Sequence, residues 1–233
     1  MITNRYNYAK IDRETVDGKR HYCLPDGSKV PSVTTILDKT KSEEKRRALL
    51  EWRKAVGEAK AQEITTEAAG RGTRMHKWLE NYVKDDNIGT PGTNPHSIES
   101  HKMASTIVAE GLSKNVNEYW GVEVPLYYSG LYAGTTDCIA VWNENPAILD
   151  YKQSNKIKKL EWIEDYFIQL AAYSLAHNNM FDTNIRTGVI LMCVRPKTNE
   201  SAPVYQEFVL EPKDFDYWEN IWINRVEQYY KGI

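Results

Sequence analysis

Hydrophobic and polar positions change their period twice along the chain. Near the start they alternate in twos. Residues 6–11, Tyr-Asn-Tyr-Ala-Lys-Ile, and 20–24, Arg-His-Tyr-Cys-Leu, flank Asp17-Gly18, and a second Asp26-Gly27 follows. Asp-Gly between alternating segments predicts a hairpin, because glycine takes the positive φ that a tight turn needs. Residues 31–37, Pro-Ser-Val-Thr-Thr-Ile-Leu, supply a hydroxyl cap and an apolar turn and predict a short helix. A long charged helix is predicted over 42–66. It opens at Ser42 with Glu43 and Glu44 in the first turn, and gathers Leu49, Leu50, Trp52, Ala55 and Val56 on a rough apolar face. A second helix follows over 67–84, where His76 and Glu80 stand four apart on one face. Residues 85–97 predict a loop, and 97–117 return to helical spacing.

The period then drops to two. Residues 119–128, 131–142 and 147–153 read as strands, the last two joined by the turn sequence Asn143-Glu144-Asn145-Pro146. Residues 161–178 predict a strong helix with Trp162, Tyr166, Ile168, Leu170, Ala171 and Leu175 on its apolar side. Strands at 187–194 and 204–210 follow, and Pro212 opens a last amphipathic helix. Helices, three strands, helix, two strands and helix predict an α/β fold, a mixed sheet flanked by helices. The expected organisation is one domain over 1–233: an N-terminal hairpin region at 1–31, a helical region at 32–118, and a sheet core with helices at 119–233.

Composition narrows the classes. The 233 residues hold 41% hydrophobic and 27% charged positions, which fits a folded chain. Thirty Lys and Arg against 32 Asp and Glu exclude a uniformly cationic coat but not a local basic patch, and residues 39–77 alone hold eleven Lys/Arg against six Glu. No apolar run approaches the roughly 20 residues of a membrane helix, so no membrane association is expected. The opening MITNRYNYAK has no apolar h-region, and the expected location is cytoplasmic. Cys23, Cys138 and Cys193 lie far apart without metal spacing, as in a reducing compartment. Fifteen Tyr and seven Trp against four Phe suit half-wet positions, whether rim packing or stacking surfaces.

Chemistry concentrates in Gly134-Thr135-Thr136-Asp137 and in Asp150-Tyr151-Lys152, which follows apolar Ala147-Ile148-Leu149. Asp150 and Lys152 are two apart on a strand, so they share a face. Pairing through the short turn brings Asp137 close to Asp150. Two carboxylates meeting at a sheet end are costly unless something positive joins them, and a hard divalent cation is the usual partner. The Tyr151 carbonyl offers a third oxygen. Lys152 is suited to steer a water or to neutralise charge on a phosphate. Gln169 and Tyr173, four apart, share one face of the next helix, which suits holding the Lys152 end of the site or a DNA phosphate, or else plain helical packing. An Asp and a Lys so spaced also make an ordinary surface ion pair.

Together these stretches resemble the PD-(D/E)xK nuclease superfamily in its RecB-like branch. The branch pattern reads here as Gly72-Thr73-Arg74-Met75-His76, Gly134-Thr135-Thr136-Asp137, Asp150-Tyr151-Lys152 and Gln169-Leu170-Ala171-Ala172-Tyr173. Residues 31–37 and 71–76 further resemble mitochondrial and phage exonucleases of that branch. The resemblance implies a restriction-endonuclease-like sheet and a Mg2+- or Mn2+-dependent DNA exonuclease acting on single-stranded DNA or DNA ends. It implies His76, Asp137 and Asp150 as metal ligands, joining the Tyr151 carbonyl, with Glu123 at a position often acidic in the branch; Glu80, on the His76 face of its helix, is a further candidate. Lys152 would activate the water, and Gln169 and Tyr173 would organise the site. No cysteine quartet follows Gly121, so no iron–sulfur cluster is expected. Lys156, Lys158 and Lys159 are placed to track phosphates, and Trp52, Trp78, Tyr82 and Trp162 either stack bases or pack in the core. A structure-specific endonuclease on the same fold and a catalytically inactive DNA-binding module remain the alternatives. A small nuclease without targeting signals also suits a virus acting in a bacterial cytoplasm.

Overall fold

The computed structural model describes every residue except Met1, Asn4, Asp17, Asn199, Glu200 and Ile233. A small antiparallel sheet comes first: β1 (Asp12–Val16), β2 (Lys19–Cys23) and β3 (Lys29–Pro31). Gly18, at φ 73°, follows the β1 strand end, while its expected turn partner Asp17 lies outside the described residues. The first hairpin strand is therefore 12–16 and not 6–11. The alternation of residues 6–11 serves packing instead. The Tyr6 ring meets Trp120 at 5.3 Å and His177 at 5.0 Å, and Tyr8 meets Phe181 at 5.3 Å.

Helix α1 (Val33–Lys39) starts where Ser32 Oγ accepts the Thr35 N–H at 3.0 Å. Two helices follow, α2 (Glu43–Val56) and α3 (Glu58–Asp85). Their break falls at Gly57, with φ 88° and ψ 139°, and not at 66/67. Only glycine takes that conformation without strain, whereas Gly70 and Gly72 within 58–85 stay out of the positive-φ region and the helix runs through them. Asn94 caps α4 (Pro95–Ile107) by accepting from the His96 and Ser97 amides. A π turn (Val108–Leu112) and the short α5 (Ser113–Asn115) lead into the main sheet.

That sheet has the order β4 (Val116–Tyr128), β5 (Tyr132–Trp142), β6 (Asn145–Ser154), β7 (Thr187–Val194) and β8 (Val204–Leu210). The β6–β7 pair is parallel and the other three are antiparallel, so the expected mixed sheet is present. Helix α6 (Glu164–Phe181) connects the parallel pair, and α7 (Phe215–Lys231) closes the chain. Strand alternation divides the apolar residues between two faces. Ile139, Ile148, Ile190 and Met192 pack with α1, α6 and α7. Cys138, Leu149, Val189 and Leu191 pack with Met75 and Leu79 of α3 and with Met103 and Ile107 of α4. All eight residues of β7 are buried, as a strand covered on both faces requires. No helix among the described residues is long and apolar enough to cross a membrane.

Candidate active site

The site grows from a fork in the sheet. Asn143 and Glu144 take positive φ, 45° and 68°, and close a tight turn that sets the register Trp142 to Asn145 and Cys138 to Leu149. β5–β6 pairing stops there. β5 continues along β4 to Tyr132, and β6 continues along β7 to Ser154. Asp137 and Asp150 are the next residues beyond the last pair, so they stand at the apex of the fork. Lys152 therefore lies inside its strand, with two more residues before the strand ends.

Side chains take over the backbone groups that a continued ladder would have used. Asp137 Oδ2 accepts the Tyr151 N–H at 2.7 Å, and the Tyr151 carbonyl accepts from His76 Nε2 at 2.9 Å. His76 Nδ1 lies 3.3 Å from Asp137 Oδ1. The imidazole, carried in by α3, thus ties Asp137 to the β6 backbone. The Tyr151 carbonyl, expected to face a cation, here holds this ring. Glu123 joins from β4 at φ 51°, a left-handed conformation uncommon for a residue with a side chain. One ligand atom from each of His76, Glu123 and Asp137 lies within 4.8 Å of the others.

Asp150 is not in that set of three. It is 2% exposed, and its Oδ2 pairs with Lys152 Nζ at 2.6 Å. The same ammonium donates to Gln169 Oε1 at 3.5 Å and lies 4.9 Å above the Tyr166 ring. Gln169 Nε2 donates to the Tyr173 hydroxyl at 3.1 Å. The four-residue spacing on α6 thus becomes a relay from Tyr173 through Gln169 to Lys152. Tyr173 can sit there because Gly134 has no Cβ. One built there would lie 2.6 Å from Tyr173 Cε1. Glu80 is held in ion pairs by Lys77 and Lys84.

Burial and charge act against each other throughout the site. Burial pushes the His76 imidazole down, but the Asp137 carboxylate more than offsets it and brings the ring to about 9. Burial pushes Asp137 up, and His76 and Lys152 pull it below the usual carboxylate range. Asp150 is raised to about 6 by burial, with Asp137 adding and Lys152 opposing. Burial works against the Lys152 ammonium, yet Asp150 and Asp137 hold it above its ordinary value. Glu123 is raised by burial and by the Asp137 charge. With no cation at the fork, Asp137 thus draws His76 toward its protonated form, a proton that a bound cation would displace, and Lys152 is a charged donor and not a base.

Sequence reasoning gave no role to two groups that hold this site. Tyr166 lies beneath Lys152. Arg71 is buried, donates from Nε to Gln153 Oε1 at 2.9 Å, bonds Asn155, and faces Glu99 at 3.8 Å. Glu99 also pairs with Arg195 at 2.8 Å. This network clamps α3 to the end of β6, five residues before His76. Its signal was present in the sequence: Arg71 falls on the stripe Arg71, Met75, Leu79, Val83, which is otherwise apolar.

A profile of the PD-(D/E)XK nuclease superfamily matches residues 45–232, a span that contains every residue just described. Mitochondrial genome maintenance exonuclease 1 of Xenopus tropicalis is 26% identical over 215 residues, and that of Mus musculus is 27% identical over 211. These alignments cover 87% and 86% of this chain but only 58% and 59% of the relatives, so the chain spans well under two thirds of their length. A putative exonuclease of known structure from Eubacterium rectale superposes with a TM-score of 0.48 at 14% identity, over 70% of this chain and 64% of that one. With the mixed sheet, the fork and its carboxylates all inside the matched span, the chain belongs to the PD-(D/E)XK nuclease superfamily.

Proposed function

We propose that the chain is a divalent-metal-dependent deoxyribonuclease that trims single-stranded DNA or DNA ends as an exonuclease. The observation that carries this reading is the convergence of His76, Glu123 and Asp137 within 4.8 Å beside the Asp150–Lys152 pair. The donor chemistry fits Mg2+ or Mn2+, since two carboxylates and one imidazole make an oxygen-rich set. Asp137, Glu123 and His76 would hold the ion, and Asp150 completes the proposed set. When bound, the cation supplies Lewis acidity toward a phosphate oxygen.

The chain's own residues do the rest. Hydrolysis joins a water oxygen to phosphorus, breaks the bond to the leaving sugar oxygen, and moves a proton from the water to that oxygen. Lys152 stays protonated, so it orients the water or offsets charge building on the phosphate. It does not take the water's proton. Asp150 and Gln169 hold the ammonium, and Tyr173 holds Gln169. The exonuclease assignment follows from the mitochondrial exonucleases to which the chain is similar, and the single-strand preference from its resemblance to that branch. The test is digestion of end-labelled linear oligonucleotides with Mg2+, Mn2+ or chelator. Asp150→Asn and Lys152→Ala are expected to lose cleavage while DNA binding survives. Full metal-dependent activity in Asp150→Asn refutes the reading. A closed single-stranded circle stays intact for an exonuclease and opens for an endonuclease. DNA retained uncut with every metal identifies a binding module.

A further inference from the structure

Between β6 and α6 the chain displays apolar side chains to water. Ile157 is 51% exposed, Leu160 56% and Trp162 51%, and Lys156, Lys158 and Lys159 are interleaved with them. The segment is pinned. Ser154 Oγ donates to the Lys156 carbonyl at 2.6 Å. Gln206 of β8 accepts the Lys158 N–H at 2.8 Å and donates to its carbonyl at 2.9 Å. The Trp162 N–H donates to the Lys159 carbonyl at 3.1 Å, closing the 3-10 turn Leu160–Trp162, and the next residue, Ile163, is buried in the core. A held backbone thus keeps an indole facing water.

The flanks of this segment are the site itself. Lys152 lies two residues before Ser154. At the other end the Tyr166 N–H donates to the Ile163 carbonyl at 2.9 Å, and the Tyr166 ring supports Lys152. Of the rings expected either to stack or to pack, Trp78 and Tyr82 pack against the α3–α4 core, Trp52 on α2 is 37% exposed, and Trp162 is the most open and is flanked in sequence by Lys152 and Tyr166 of the site. The ammonium groups of Lys156 and Lys159 lie 5.7 and 5.5 Å from the Trp162 ring centroid. Such contacts are weak at exposed positions. Lys159 has one further contact, a 3.9 Å approach to the exposed Glu161, and Lys156 has no carboxylate partner among the described residues. Neither ammonium is firmly held on the ring.

We infer that Trp162, with Lys156 and Lys159, forms a stacking subsite for an unpaired nucleotide of the substrate strand beside the phosphate to be cut. The inference rests on the deoxyribonuclease reading above and adds the place where the strand is gripped. An incoming base displaces the ammonium groups from the indole, and they move to the phosphates that flank it. A base inside a duplex has no free face to offer, so the subsite selects single strands.

The test is equilibrium binding of dye-labelled oligothymidylate and of a blunt duplex to the full chain in chelator, followed by cleavage kinetics with Mn2+. Trp162→Ala is expected to weaken oligothymidylate binding by roughly fivefold or more, to leave duplex binding unchanged, and to raise KM with little change in kcat. Trp162→Phe keeps most of the affinity. The Lys156→Ala, Lys159→Ala double variant lowers the salt dependence of binding. Oligothymidylate affinity equal to the parent's in Trp162→Ala overturns the subsite, as it would if this surface served a protein partner. An equal loss on duplex also overturns it. Parent chain that binds through Trp162 but cuts with no metal leaves the subsite standing and removes the nuclease reading. Parent chain that cuts, with Trp162→Ala indistinguishable from it, does the reverse.

Discussion

Replacing Gly134 with alanine tests the relay that holds Lys152. The added Cβ would lie 2.6 Å from Tyr173 Cε1, 3.0 Å from its hydroxyl and 3.2 Å from Cζ. Carbon atoms pack best about 3.5–4.0 Å apart, so the closest overlap is about 1 Å. Neither partner can yield freely. Gly134 is paired with Leu126 in the β4–β5 ladder, and Tyr173 is 3% exposed with its hydroxyl bound by Gln169. Overpacking of this kind costs about 1–3 kcal/mol. In a strand, alanine is otherwise favoured over glycine by about 0.5–1 kcal/mol, so any measured loss understates the clash. In a chain of this size each kcal/mol lowers the melting temperature by about 2–4 °C. Thermal unfolding of Gly134→Ala should show that fall, and cleavage should drop further than the folded fraction does, because a displaced Tyr173 releases Gln169 from Lys152. Adding Tyr173→Leu should recover part of the stability loss, since the two changes share one contact. A melting temperature within about 1 °C of the parent's, with cleavage intact, refutes the packing account.

Two further outcomes follow from groups outside the metal-ligand set. His177 is buried among aromatic rings, faces the Tyr8 hydroxyl at 3.1 Å and Thr183 at 2.8 Å, and burial holds its imidazole down to about 4 from 6.5. Between those values the unfolded chain binds more protons than the folded one, so stability falls as pH drops through that window, by about 3–3.5 kcal/mol at most. Urea unfolding of the parent and of His177→Gln between pH 7 and 4 should show the excess loss in the parent alone, and parallel curves refute it. Arg71→Lys keeps the charge but cannot span Gln153, Asn155 and Glu99, and should cost about 1–3 kcal/mol together with much of the cleavage. Stability and rate equal to the parent's would remove Arg71 from any positioning role.

Much of the site was legible because it is local. The tight turn at 143–146 fixes one register, the strand period puts Asp150 and Lys152 on one face, and the helical period puts Gln169 and Tyr173 on another. The fork was not legible. Nothing in Thr136-Asp137-Cys138 marks where β5 and β6 part, because each strand leaves to pair with a different neighbour. The same distance in sequence hid the ring of His76 on the Tyr151 carbonyl and the kinked backbone of Glu123, which has no glycine to announce it. The misplaced first strand and helix break have simpler causes. Tyrosines at alternate positions look like a strand whether they pair or pack, and Gly57 interrupts an otherwise continuous helical pattern.

The charge balance at the fork makes the last prediction. Asp137 and Asp150 gather around Lys152, the more exposed Glu123 adds a third carboxylate with Lys84 acting on it from outside, and burial makes an uncompensated carboxylate costly. The folded chain limits that cost by drawing a proton onto His76, which Asp137 raises to about 9, and by raising Glu123. A divalent cation held as proposed would offer the same compensation with more charge, and it would bind the folded state alone because the four chain segments meet only there. Stabilisation then follows mass action. At one hundred times the dissociation constant it is about 2.7 kcal/mol, or a rise in melting temperature of about 5–11 °C. Mg2+ or Mn2+ should therefore stabilise the parent, with reversal by chelator. Asp137→Asn should lose the response, and Glu80→Gln should keep it, because Glu80 is already engaged by Lys77 and Lys84. An equal shift in Asp137→Asn, or none in the parent at millimolar cation, would mean that the carboxylates at the fork balance their charge without a metal.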